Sequence, residues 1–280
     1  MASFLALISS LFWGSADFQA GNLSKKFPAI AVLGTSQAIG LLTGVVLVVI
    51  NGEQSAHAFG TGGYFWPGVV AGLSGYTGLI CLYAGLATGR MGVVSPISSL
   101  SALLPFGYAI FVKDNKLSTI VLLGAILAIA GGFFTSGPEI SQGLPLKPIL
   151  LALGAAIGFG GALIAMAVGS EGSALATMTM MRATTFALSL LILAKYKTVG
   201  GLGKKQLPSL IFIGVADFLA NLLLGVATTK GVLALAMVLG ALYPVATALL
   251  AFHFLHERLQ KVQYIGISCA VAGVAIISAF

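Results

Sequence analysis

Charge is what this chain has least of. Only 8% of its 280 residues are charged, 14 basic and 7 acidic, against about 25% in an ordinary soluble protein. So few charges cannot cover the surface of a water-soluble fold of this length, and that class is excluded. Cysteine is scarce too. Cys81 and Cys269 both fall in apolar runs and define neither a disulfide framework nor a redox motif. Of the three histidines, His253 and His256 have helical ligand spacing with Glu257 beside them. Without further ligands at a membrane edge, they read as headgroup contacts and not as a metal site. A phosphate loop is missing as well: Gly200-Gly201-Leu202-Gly203-Lys204-Lys205 does not fit GxxxxGK[ST], which excludes nucleotide-driven work by this chain alone.

What is abundant is apolar. Hydrophobic residues make up 58% of the chain and glycine contributes 37 residues, a composition in keeping with helices that pack closely in lipid. A helix crosses a bilayer core with about 20 apolar residues, and ten runs meet that length: 3–23, 29–50, 67–88, 94–112, 118–136, 148–169, 173–194, 208–229, 233–255 and 262–279. Alternating ten-residue segments of the kind that build barrels are absent. Met1 leads almost directly into the first run without a basic stretch, so that run is expected to be retained as a span. The net charge of +7 does not point to nucleic acid, because the basic residues lie between apolar runs and form no patch. The expected fold is an all-α integral membrane protein of ten transmembrane helices.

The two halves of the chain echo one another. Lys116-Leu117, Gly124 and Ala130-Gly131 recur as Arg258-Leu259, Gly266 and Ala272-Gly273, all displaced by 142 positions. Trp13-Gly14 matches Phe159-Gly160, Pro67 matches Pro208, and Leu104-Pro105 matches Tyr243-Pro244. Residues 1–140 and 145–280 therefore read as two five-helix repeats. Five is an odd number, so the second repeat enters the membrane inverted, as in secondary transporters whose substrate site lies near the midplane between the halves. Basic residues set the orientation. Odd-numbered connections hold ten, and the other side holds Lys113, Lys116 and Lys230, which places both termini on the non-cytoplasmic side of a cell (plasma or inner) membrane.

Certain short motifs carry a family resemblance: Trp13-Gly14-Ser15-Ala16-Asp17-Phe18, Gly92-Val93-Val94-Ser95-Pro96-Ile97, Leu104-Pro105, Tyr243-Pro244 and the hinge Glu257-Arg258-Leu259. In order and spacing, over nearly the whole chain, they resemble the EamA-type branch of the drug/metabolite transporter superfamily. The first-repeat hinge departs from the family pattern, with Asn115 where glutamate is frequent. The resemblance implies a carrier of small metabolites, amino acids among them, mostly by export or exchange, and names no cargo.

Three ionisable residues fall well inside spans: Asp17, Arg182 and Asp217. Facing lipid would be costly for each, so each is expected to face a partner or a cavity. Arg182 and Asp217 fit either a buried pair that fixes helix register or a site where Arg182 receives an anionic group. Asp17 has no cationic neighbour in sequence and is the first proton-coupling candidate, with Asp217 the second. Trp13 shares a face with Asp17, and Asn221 with Asp217, four residues apart. Gln37, Tyr76, Tyr83, Ser95, Ser98 and Tyr243 complete the expected cavity wall, although any one serine is most often bonded to its own backbone. Pro105 and Pro244, which remove backbone bonds in both repeats, are the candidate hinges or gates.

The expected function is secondary active transport of a small polar or zwitterionic metabolite such as an amino acid. Uptake of a small organic cation, drug efflux, and a non-transport scaffold or receptor-like subunit are the alternatives. An enzyme is not expected: Gly72-Leu73-Ser74-Gly75 has the GxSG form of intramembrane serine proteases, but Ser74 and His253 differ by about 17 Å in depth, beyond nucleophile–base reach. No cofactor and no metal are implied. The expected partners are a small-molecule substrate and the lipid bilayer, with no nucleic acid, and the chain acting as a monomer or weak homodimer.

Overall fold

The computed structural model describes residues 1–53, 56–86, 91–137, 146–197, 200–255 and 259–279. Among them the chain forms eleven α-helices and no strand: α1 Ala2–Ser24, α2 Ala29–Asn51, α3 Phe65–Leu86, α4 Met91–Ser99, α5 Leu103–Phe111, α6 Thr119–Thr135, α7 Leu146–Tyr196, α8 Leu207–Thr229, α9 Leu233–Gly240, α10 Tyr243–Leu255 and α11 Lys261–Ala279. Six stretches are long and apolar enough to cross a membrane, and α6 and α11 are shorter apolar helices. Large apolar side chains such as Leu42, Val49, Leu123 and Val271 stand exposed around the bundle, as a lipid-facing surface requires. Arg90, the hinge residues Glu257 and Arg258, His256 and the boundary between residues 140 and 145 lie outside the described residues.

Three interruptions shape the bundle. A proline has no N–H and its ring crowds the carbonyl four residues back. For Pro105 that carbonyl is Ser101, which lies in the short 3-10 segment Leu100–Ala102 separating α4 from α5. For Pro244 it is Gly240, the last residue of α9, and the helix resumes at Tyr243. The third break has a different cause. α7 runs for 51 residues, but Ser173 sits at φ −152°, ψ 111°, which is extended backbone. Its hydroxyl accepts from the Ala176 N–H at 2.9 Å and donates to the Glu53 carboxylate, so Ser173 caps a new helix whose N-terminal dipole faces an acidic group.

Glycines permit the close crossings. A Cβ at Gly158 would lie 2.7 Å from the Cα of Gly78, so α3 and the first part of α7 touch backbone to backbone. α6 and α11 pack in the same way through Gly131 and Gly273, and Gln263 Nε2 donates to the Thr135 carbonyl at 3.0 Å.

The two ends of the bundle differ. At the end where α1 begins, the interior is filled by Ala6, Met178, Leu224 and Ala227 and by Ala234, Met237 and Leu239 of α9, all buried. Elements are also tied across that end: Ser9 Oγ donates to the Ala220 carbonyl at 2.7 Å, Asn115 Oδ1 accepts from the Ala234 N–H at 3.1 Å, and Lys113 pairs with Glu171. We call this the sealed end. At the opposite end, α1 finishes beside the start of α8, where Gln19 Nε2 donates to Ser209 Oγ at 2.9 Å. Gly200 lies against Pro28 and Ala31 of the next turn of chain. Lys25, Lys26, Lys195, Lys197, Lys204 and Lys205 are therefore gathered at this end.

Candidate functional site

The site begins with one face of α1. At 100° per residue, Ala6, Ser10, Asp17 and Gly21 fall within about 60° of one another. Ala6 and Ser10 are 0% and 4% exposed, yet Asp17 and Gly21 on the same stripe are exposed, and nothing approaches within 4 Å of the position a Gly21 Cβ would take. The lipid face of α1, carrying Phe4 and Leu11, lies about 120–140° away. Trp13 and Ser9, to one side of the stripe, bond to α8, and Gly14, to the other side, packs on Tyr243 and Ala246 of α10. Asp17 thus points between α8 and α10 into the bundle, where the inward face is filled at the sealed end and open at the basic end. It makes no ion pair or hydrogen bond with any described residue, and stands within electrostatic range of Asp217 and Tyr243.

Beside it lies a network from three more helices. Arg182, 5% exposed, pairs through Nη2 with Asp217 Oδ2 at 2.8 Å and donates through Nη1 to Gln37 Oε1 at 2.6 Å. Nη2 also reaches the Asp217 carbonyl at 3.3 Å. Its Nε is buried without a partner, against Gly40. Gln37 Oε1 takes a second bond, from Thr185 Oγ1 at 2.8 Å. Asp217 is engaged on both oxygens as well: besides the Arg182 contact at Oδ2, Oδ1 accepts from Trp13 Nε1 at 2.9 Å and from Asn221 Nδ2 at 3.2 Å. Trp13 meets Tyr243 edge-on, with ring centroids 6.0 Å apart. A buried guanidinium with its fork occupied on both sides is a stable element, and it leaves Arg182 without an accessible face for a ligand.

Seven of the expected residues therefore converge: Trp13, Asp17, Gln37, Arg182, Asp217, Asn221 and Tyr243. Tyr76 does not join them. It is buried on α3 and meets Ser189 at 3.4 Å, two turns from Arg182 toward the basic end. Ser98 is buried and donates to its own helix at the Val94 carbonyl, and half-buried Ser95 makes no bond to the cluster. The Tyr83 side chain lies outside the described residues. Thr185 is the member that sequence reading missed. Its signal was present, since it lies three residues from Arg182 and so shares its face, but a threonine in an apolar run does not stand out.

A comparison with curated protein sequences finds no match. A solved crystal structure has the same fold, with a TM-score of 0.79 at 19% identity over 99% of this chain and 96% of the other. The model of the EamA-like transporter family matches residues 1–137 and 146–279, which together contain the described helices, the ionic network and Asp17. The chain belongs to the EamA-like transporter family, membrane transporters of the drug/metabolite superfamily.

Proposed function

We propose that this chain is a secondary active carrier that works by alternating access between two inverted halves, residues 1–140 and 145–280, each with five crossings. The observation that carries this reading is the one-sided cleft: Asp17 stands exposed at its floor while the same face of α1 is packed shut about two to three turns away. A channel needs an open path, whereas a carrier keeps one end closed. The break at Ser173 supports ten crossings, because it divides 51 helical residues into two lengths that each suit a bilayer. That the family model matches two separate stretches, residues 1–137 and 146–279, supports a division into two halves.

With the basic end in the cytoplasm of a plasma or inner membrane, both termini lie outside and the cleft faces inward. A cleft loaded from the cytoplasm favours export or exchange of a small polar or zwitterionic metabolite, with Asp17 as the group that takes up a coupling proton. Asp217, held by Arg182, Trp13 and Asn221, is the less mobile carboxylate. Pro105 and Pro244 serve as hinges at the two helix breaks. The carrier acts as a monomer or weak homodimer.

The test is counterflow in proteoliposomes without nucleotide. Saturable flux that is accelerated by unlabelled substrate on the opposite side is expected. A non-saturating conductance would overturn the reading.

A further inference from the structure

We propose that the substrate carries a protonated amine and that this ammonium docks on Asp17, beside the paired rings of Trp13 and Tyr243. The inference rests on the carrier reading and narrows its substrate class.

The charges of the site are unevenly committed. Arg182 and Asp217 cancel one another at 2.8 Å, and apart from the buried Arg182 Nε their remaining polar groups are engaged by Gln37, Trp13 and Asn221. Asp17 alone is exposed and unpaired, so the floor of the cleft holds one acidic group in excess among the described residues. An arriving carboxylate would pass the lysines at the mouth, meet that acid and find no free cation on the floor among the described residues, because Arg182 is buried behind its partners. An arriving ammonium would gain a charge-assisted hydrogen bond to Asp17. The rings fit the same ligand: Trp13 sits one helical turn before Asp17, and Tyr243 approaches from α10. An aromatic wall beside a carboxylate attracts a cation and offers nothing to an anion. For a zwitterion, the ammonium is therefore the recognised end, and Arg182 positions Asp217 and Trp13 and does not touch substrate.

The experiment uses the purified full chain in nanodiscs with three matched sets of compounds: phenylalanine, phenethylamine and phenylpyruvate; leucine, isoamylamine and 4-methyl-2-oxopentanoate; serine, ethanolamine and hydroxypyruvate. At least one set should show thermal stabilisation by its amine and none by its 2-oxo acid. Asp17→Asn should weaken that binding by at least about tenfold, and Asp17→Glu, which keeps the charge, should retain it. Binding by a 2-oxo acid, no response from any amine, or amine binding unchanged in a folded Asp17→Asn variant would each overturn the assignment.

Counterflow at equal pH on both sides separates the two layers. Docking on Asp17 requires amine exchange to be lost in Asp17→Asn, whereas a role limited to carrying a proton would leave exchange intact and defeat the proposal. Saturable flux of a 2-oxo acid would leave the carrier standing and remove the ammonium site. Amine binding without any flux would remove the carrier and leave the site.

Discussion

The sealed and open ends of this bundle are built from similar apolar helices, yet one is packed shut and the other leaves the inward face of α1 exposed. At the sealed end, small residues such as Ala6, Ala227 and Ala234 let the helices close onto each other. Contacts between elements far apart in sequence, Ser9 with Ala220 and Asn115 with Ala234, fasten them. At the open end α1 presents Asp17 and Gly21 on the same face, and neither is covered. A carboxylate cannot be buried without a partner except at high cost, and a glycine brings no side chain to fill the gap. The difference lies in a few positions on one helix stripe, and not in overall composition.

The largest expected effect comes from preventing the sealed end from opening. Cysteines at positions 113 and 171, in a background without Cys81 and Cys269, joined by a short bis-thiol reagent, should abolish counterflow, and reductive release should restore it. Flux that persists through the cross-link would show that this end does not move during transport.

Next in size is the ionic network between the ends. Arg182→Ala leaves Asp217 without its cation, and a broken buried pair costs about 3–5 kcal/mol, to be read as a fall in thermal midpoint. The combined change Arg182→Met with Asp217→Leu should recover most of that loss. If the double variant also transports normally, the pair is structural only.

A third measurement sharpens the contrast directly. Gly21→Cys should react readily with a membrane-impermeant thiol reagent supplied at the basic end. Ser10→Cys, on the same stripe but buried, should not. Equal reactivity would erase the distinction between the ends.

The smallest effect belongs to the Lys113–Glu171 pair. The hydrogen bond to Glu171 raises the Lys113 ammonium above its ordinary range, opposed in part by desolvation. A raised folded value means that the contribution is fully present below the usual lysine range and is lost as pH climbs through the raised value. The side chains are 35% and 55% exposed, so Glu171→Gln should cost under about 1 kcal/mol at neutral pH. The difference from the parent should vanish in strongly alkaline buffer. A large neutral-pH effect would mark the pair as more than a surface latch.

Much of the site was legible because intramembrane charge is so rare here. Asp17, Arg182 and Asp217 stand out against apolar runs, and Trp13 and Asn221 follow from them by helical spacing. Serines did not reveal their roles in this way, because a hydroxyl can satisfy itself on its own helix, as Ser98 does at Val94. Thr185 escaped for the related reason that its partner, Gln37, is 148 positions away. The helix breaks were legible where proline causes them. At Ser173 the cause is a cap completed by Glu53, a residue with no sequence relation to it.

The sequence by itself determined that the chain is helical and suited to lipid, that Pro105 and Pro244 interrupt helices, and which residues are too polar to face a bilayer. These follow from local chemistry: length of apolar run, the missing proline N–H, and the cost of a charge in hydrocarbon. Only the tertiary structure decided that Arg182 spends its fork on Gln37 and Asp217, and that Asp17 is left open at the floor of a cleft. Which carboxylate wins a single cation depends on rotation and depth across helices separated by up to two hundred positions. No periodicity within one helix encodes that choice.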